Sequence, residues 1–198
     1  VIGKKFDYYR GSEKNVLRRV IGAADKFNAD LIIRITADNP IVDAKAIDYM
    51  INFYLKNLHI DYLTNNCFGD LNKRKLALGL DISIFKKDKL KLIQSYVKKI
   101  KKNKNTFYEF PTLYFYTIGK KIFNIKNITL PEKFFINKKF RLTVDTENDL
   151  KFFTSLFAHF KNKKNYLNIS DIKKILLKNP KLANINNEIA QFQPNFDK

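Results

Sequence analysis

The chain has 198 residues, enough for one domain with a sizeable core. A hydrophobic content of 45% excludes a disordered polycation, and a single cysteine, Cys67, excludes a disulfide framework or a cysteine-based zinc site. The formal charge is +19, from 38 Lys and Arg against 19 Asp and Glu. Taken alone, that charge points to a phosphate-rich partner such as nucleic acid or anionic lipid. Yet 32 of these residues are Lys and 6 are Arg, beside 22 Asn, a bias that A/T-rich codons produce. Arg is the residue suited to bidentate phosphate and base contacts. Nucleic acid is therefore not expected as a partner, and the lysines are read as solvated surface. No apolar run approaches the ~20 residues that span a membrane, so no membrane association is expected, and no signal peptide is visible. The chain opens at Val1 rather than Met, and a piece of a longer protein is expected.

Residues 6–9 are strand-like. Ser12 is a plausible cap for a helix whose face is Val16, Leu17, Val20, Ile21, Ala24 and Phe27. Residues 29–36 form a β-branched run read as a buried strand, stopped by Pro40. Asp43 is expected to cap a second helix with Ile47, Met50, Ile51, Tyr54 and Leu55 on one side. A strand over 61–64 enters a polar loop around Asn65, Asn66 and Gly69, and residues 80–85 alternate like another strand. An amphipathic, basic helix follows over 90–100, then an aromatic stretch over 106–116, broken by Pro111 and read as core. Residues 139–144 read as a strand, and 147–160 as a helix with Leu150, Phe153, Leu156 and Phe157 inward. Ser170 caps a last helix that ends near Pro180. The expected organisation is one α/β domain over 1–180 and an Asn-rich tail over 181–198. Helices flank a mostly parallel sheet.

In open α/β sheets, ligands bind at the carboxyl ends of the strands. Asp38 and Asp145 occupy such positions, and two carboxylates converging there could hold Mg²⁺ together with substrate phosphates. The alternative is structural: Asp145 caps the helix beginning at Glu147, and Asp38 caps a turn before Pro40. There is no phosphate-binding P-loop and no dinucleotide fingerprint. His59 and His159 are isolated, so a hydrolase triad is poorly supported. Cys67, one thiol without a partner, points to no chemistry.

Several segments together resemble a known family. They are Gly11-Ser12-Glu13-Lys14-Asn15-Val16-Leu17-Arg18-Arg19, Ile33-Arg34-Ile35-Thr36-Ala37-Asp38-Asn39-Pro40-Ile41-Val42-Asp43, Asp61-Tyr62-Leu63-Thr64-Asn65-Asn66, Gly79-Leu80-Asp81 and Arg141-Leu142-Thr143-Val144-Asp145-Thr146-Glu147-Asn148-Asp149-Leu150. Their order and spacing are similar to those of the cytidylyltransferase family of the spore-coat polysaccharide biosynthesis protein F type, related to the acylneuraminate and 3-deoxy-manno-octulosonate cytidylyltransferases. The resemblance implies a Rossmann-like nucleotide-diphospho-sugar transferase fold, with CTP and a sugar as substrates. CMP would pass to a sugar hydroxyl with release of pyrophosphate, in the cytoplasm. It implies Asp38 and Asp145 as catalytic Mg²⁺ ligands. Arg34, Asn65, Asn66, Asp81, Glu109 and Thr112 become candidates for the sugar side or its supports, and a homodimer is compatible.

The chain also departs from the family. Members begin with a strand and a Gly- and Arg-containing loop that grips the triphosphate. Nothing here matches it, so the first βα portion is expected to be missing. The family's R-E-H-V-T segment reads Tyr108-Glu109-Phe110-Pro111-Thr112, and Asn15 stands where Asp is usual. Two other readings stay open: a glycosyltransferase of related fold, and a non-catalytic binding module.

Overall fold

The structure is a computed structural model and describes residues 6–160 and 168–191. Residues 6–9, expected as strand-like, form no strand. Helix α1 (Val16–Lys26) buries Leu17, Ile21 and Ala24. Its cap is Asn15, whose side chain accepts from Arg18 N at 2.8 Å. Ser12, the expected cap, lies too far upstream and instead accepts from Asn15 N at 3.0 Å. Strand β1 is Leu31–Arg34, and α2 is Ala44–Leu55, capped as expected by Asp43, which accepts from Lys45 N at 2.8 Å. Strands β2 (Tyr62–Thr64) and β3 (Ser83–Lys86) precede α3 (Lys87–Lys99), α4 (Lys104–Glu109) and α5 (Leu113–Tyr116). Strand β4 (Ile125–Asn127), α6 (Glu147–Ala158) and α7 (Ile169–Lys178) follow, and a 3-10 helix spans Pro180–Ile185.

The sheet order is β1-β3-β2-β4, and the sheet is mixed rather than mostly parallel. The crossover through α2 returns the chain so that β2 runs in the direction of β1. β3 then enters between them after a loop with no crossover helix, so it runs antiparallel to both. The route back through α3, α4 and α5 makes β4 parallel to β2. Period-2 alternation splits the core into two layers. Leu63 and Ile84 face a layer built with α2, α6 and α7, and Tyr62 and Phe85 face one built with α1 and α3. The aromatic stretch fills the second layer, where Tyr62 stacks on Phe115 at 4.7 Å between ring centres.

Three helix expectations shift in frame. α6 buries Phe152, Phe153 and Leu156, while Leu150 (59% exposed) and Phe157 (36%) face outward. The large apolar residues of α6 spread over a wide arc, and the core covers its Phe152 side rather than its Leu150 side. Leu55 is likewise exposed at the end of α2. Asn168, not Ser170, caps α7 by accepting from Asp171 N at 3.0 Å.

Of the expected strand over 139–144, residues 139–140 lie in a turn closed by Phe140 N donating to Asn137 O at 3.1 Å, and residues 141–144 are extended but do not join the sheet. Leu142 N donates to Leu78 O and Val144 N to Asp38 O, each at 2.9 Å, so successive bonds go to different partners and no ladder propagates. Gly79 ends the first of these contacts. It sits at φ +90°, and a Cβ there would lie 1.8 Å from the Leu142 carbonyl oxygen. The left-handed conformation alone costs a non-glycine residue about 1–3 kcal/mol. Gly79→Ala is therefore expected to lower stability by more than that, read as a fall in the urea midpoint. An unchanged midpoint would disprove the close approach.

Candidate active site

The end of β1, the start of β3, the loop after β2 and the 141–145 segment surround a cleft of about 680 Å³. β1 delivers Arg34, then Thr36 and Asp38 beyond its end. Asn39 N bonds Thr36 O at 3.1 Å, a turn that holds Asp38 at the mouth. From the opposite wall, alternation in extended backbone points Arg141, Thr143 and Asp145 to one side. The Thr143 hydroxyl lies 3.1 Å from Asp38 Oδ2 and 3.3 Å from Asp145 Oδ2. The two carboxylates thus flank a single hydroxyl.

Neither caps a helix. The cap of α6 is Thr146, which accepts from Asp149 N while the Asp149 carboxylate accepts from Thr146 N, a reciprocal capping box. Asp145 instead accepts from Arg141 Nη2. Asp38 Oδ1 is buried with no hydrogen-bond partner. A buried acceptor without a donor is costly, and a cation satisfies it. Among the described residues no group of three or more His, Cys, Asp or Glu could hold a metal alone. A carboxylate pair fits Mg²⁺, which commonly takes one or two protein carboxylates and completes its shell with water and substrate phosphates.

Arg141 is 5% exposed and fully engaged. Nε donates to Asp149 Oδ1 at 2.9 Å, Nη2 reaches Asp149 Oδ2 at 3.4 Å as well as Asp145, and Nη1 donates to Gln191 Oε1. Asp149 also accepts from Asn186 Nδ2 at 2.8 Å and from the Asp145 and Thr146 backbone at 3.0 Å. Burial pushes the Asp149 carboxyl upward, but the donors from Arg141, Asn186, Asp145 and Thr146 outweigh it and hold its pKa below the ordinary value. The segment after Pro180 thereby joins the site, and Ile189, Ala190 and Gln191 line the cleft.

Of the sugar-side candidates, Arg34, Asn66, Asp81 and Thr112 line the cleft, while Asn65 and Glu109 do not. Asn65 is a buried brace: its Nδ2 donates to Leu80 O at 2.9 Å and its Oδ1 accepts from Ile82 N at 2.8 Å. Glu109 is exposed at the end of α4. Asp81 is clamped by both terminal nitrogens of Arg74, whose Nε and Nη2 also donate to the carbonyls of Leu76 and Ala77 at 2.9 Å. Burial lowers the Arg34 pKa, opposed by Tyr62 and Asp38 nearby. Among the described residues, no carboxylate lies within ion-pair distance of it. Among the described residues no lysine lines the cleft, and its cations are Arg34, Arg74 and Arg141.

The roles of Arg74, Arg141, Thr143, Asp149 and Gln191 were not read from the sequence. The two-residue spacing of Arg141, Thr143 and Asp145 was a usable signal. Gln191 carries none, because its segment has no period.

The cleft thus gathers one carboxylate and an unpaired guanidinium from the end of β1 and a second carboxylate from the segment before α6, a charge arrangement suited to a phosphate-bearing ligand. The chain belongs to the cytidylyltransferase family, whose model matches residues 1–175. It is 32% identical over 189 residues to an uncharacterized protein of Methanocaldococcus jannaschii, covering 92% of this chain and 68% of that one. It is 27% identical to the spore coat polysaccharide biosynthesis protein SpsF of Bacillus subtilis, covering 92% of this chain and 69% of SpsF. Among solved structures it is similar to a cytidylyltransferase from Leptospira borgpetersenii, with a TM-score of 0.73 and 29% identity over 93% of this chain and 70% of that one. No helix among the described residues is long and apolar enough to cross a membrane.

Removing one partner of a buried ion pair costs about 3–5 kcal/mol. Asp149→Asn is expected to lose about that much at neutral pH. The folded pKa of Asp149 is lowered, so its contribution is present above the ordinary carboxyl value of 3.8 and fades as pH falls through the folded value. The gap between variant and wild type in urea unfolding should therefore narrow below pH 3.8. A gap independent of pH would contradict the pairing.

Proposed function

We propose that this chain transfers CMP from CTP to a hydroxyl of a sugar and releases pyrophosphate, serving surface-polysaccharide synthesis in the cytoplasm. The observation that carries the reading is the pair Asp38 and Asp145, brought from separate segments to one hydroxyl, with Asp38 Oδ1 buried and unpartnered. Membership of the cytidylyltransferase family supports CTP as the donor, and the likeness to a spore coat polysaccharide protein supports a sugar acceptor.

Asp38 and Asp145 would hold Mg²⁺, which when bound neutralises phosphate charge and orients the in-line displacement. The chain's own groups do the rest. Arg34, half-buried and unpaired, draws a phosphate oxygen into the cleft and offers it a planar pair of donors. Arg141 offsets the charge of Asp145, so the carboxylates can sit close together. The backbone of Asn66 and the clamped carboxylate of Asp81 stay in place while their free groups, with the Thr112 hydroxyl, bind acceptor hydroxyls. The apolar wall of Phe68, Leu71, Phe110 and Leu113 excludes water from the far side of the cleft.

The test supplies CTP, Mg²⁺ and a panel of sugars and follows pyrophosphate, with nucleotide-sugar donors as a parallel arm. Pyrophosphate release that needs both CTP and a sugar is expected. Sugar transfer from a nucleotide-sugar without pyrophosphate would establish the glycosyltransferase reading instead. Asp38→Ala and Asp145→Ala should each lower the rate at least ~100-fold, about 2.7 kcal/mol of transition-state stabilisation. Arg34→Ala should raise KM for CTP about tenfold or more, and activity surviving in both carboxylate variants would overturn the assignment.

A further inference from the structure

The Thr143 hydroxyl stands within hydrogen-bond reach of both acidic groups of the cleft, at 3.1 and 3.3 Å. A hydroxyl carries one proton and satisfies one carboxylate at a time. Arg141 Nη2 already donates to Asp145 Oδ2. The Thr143 proton is thereby left for Asp38, which has no other hydrogen-bond donor among the described residues.

Thr143 has no freedom to move aside. Its side chain is 3% exposed, and the residues on either side are tied, Leu142 N to Leu78 O and Val144 N to Asp38 O, both at 2.9 Å. The second of these bonds fixes the Asp38 backbone to the same segment that fixes its Oδ2. A carboxylate is planar, so holding one oxygen sets the direction of the other. The other is Oδ1, the atom left without a partner.

We propose that Thr143 is a positioning residue that holds Asp38 beside Asp145 and aims Asp38 Oδ1 at a divalent cation. This rests on the cation-assisted reading above. The residue acts through the carboxylates and touches no substrate. It also explains why a buried position takes Thr rather than its isostere Val: the methyl fills the packing and the hydroxyl donates to Asp38.

The test measures Mn²⁺ binding by calorimetry on the whole chain without nucleotide, beside urea unfolding. Thr143→Val keeps the shape and loses the hydroxyl, and Thr143→Ser keeps the hydroxyl and loses the methyl. The expected result is a roughly tenfold weaker Mn²⁺ affinity in Thr143→Val, with Thr143→Ser within about twofold of wild type. If Thr143→Val does not fold, Thr143→Ala takes its place against Thr143→Ser. Equal affinity in Thr143→Val and wild type, or equal weakening in Thr143→Val and Thr143→Ser, overturns the role of Thr143. Either result leaves the transferase reading standing, because pyrophosphate release is read separately. Absence of Mn²⁺ binding in the wild type overturns the cation pair and the role of Thr143 together.

Discussion

A guanidinium withdrawn from water must have its charge and its donors matched, and in this chain Arg141 imposes that condition on everything around it. Its nitrogens reach Asp149 on α6, Asp145 at the cleft and Gln191 from the last described segment. Asp149 in turn starts α6 through the capping box and receives Asn186. One network therefore sets the start of a helix, the path of the segment after Pro180 and the place of a cleft carboxylate. A buried pair is weak evidence for stability in itself, since desolvation offsets much of the attraction. Its effect here is to select one arrangement, because any other leaves a charge unpaired in the interior.

The cleft also reverses the electrostatic impression of the chain as a whole. The formal charge is +19, yet among the described residues no lysine lines the site. Three of the few arginines are placed there instead, two of them clamped to carboxylates and one unpaired. A planar fork of donors can be locked by neighbours, whereas an ammonium on a flexible stem cannot be held to the same geometry. The lysines on the outer face of α3, such as Lys98 and Lys99, are exposed, in keeping with a composition bias carried at the surface.

What was legible in the sequence follows from how local each signal is. Asp43 as a cap and the aromatic stretch as core depend on spacing within a few residues, and the structure bears them out; the expected α1 face holds at Leu17, Ile21 and Ala24, while Phe27 lies past the helix end and is 42% exposed. The direction of β3 depends on how the long loop after β2 turns, and no periodicity encodes that. The extended character was readable for 141–144 though not the turn at 139–140, and the pairing was not, because a ladder needs a partner and Gly79 limits that partner to a single bridge. At the cleft, Asp38 and Asp145 were visible as strand-end acids. Thr143 was hidden because a threonine in an extended run ordinarily signals only β-propensity. Asn65, expected at the sugar side or its supports, braces the backbone before β3 instead of lining the cleft, through hydrogen bonds to residues about 15 and 17 positions away.

The reach of the Asn186 contacts has a consequence for the order in which the molecule is made. Asn186 Nδ2 donates to Asp149 and to Arg141 O, partners 37 and 45 residues earlier in the chain. During synthesis, Arg141 and Asp149 leave the ribosome well before the residue that completes their network. The sheet and both core layers can close without it, since their strands and most of their helices are already present. The carboxylate pair therefore gains its final support only after the bulk of the domain has formed, so catalytic competence trails compaction in time.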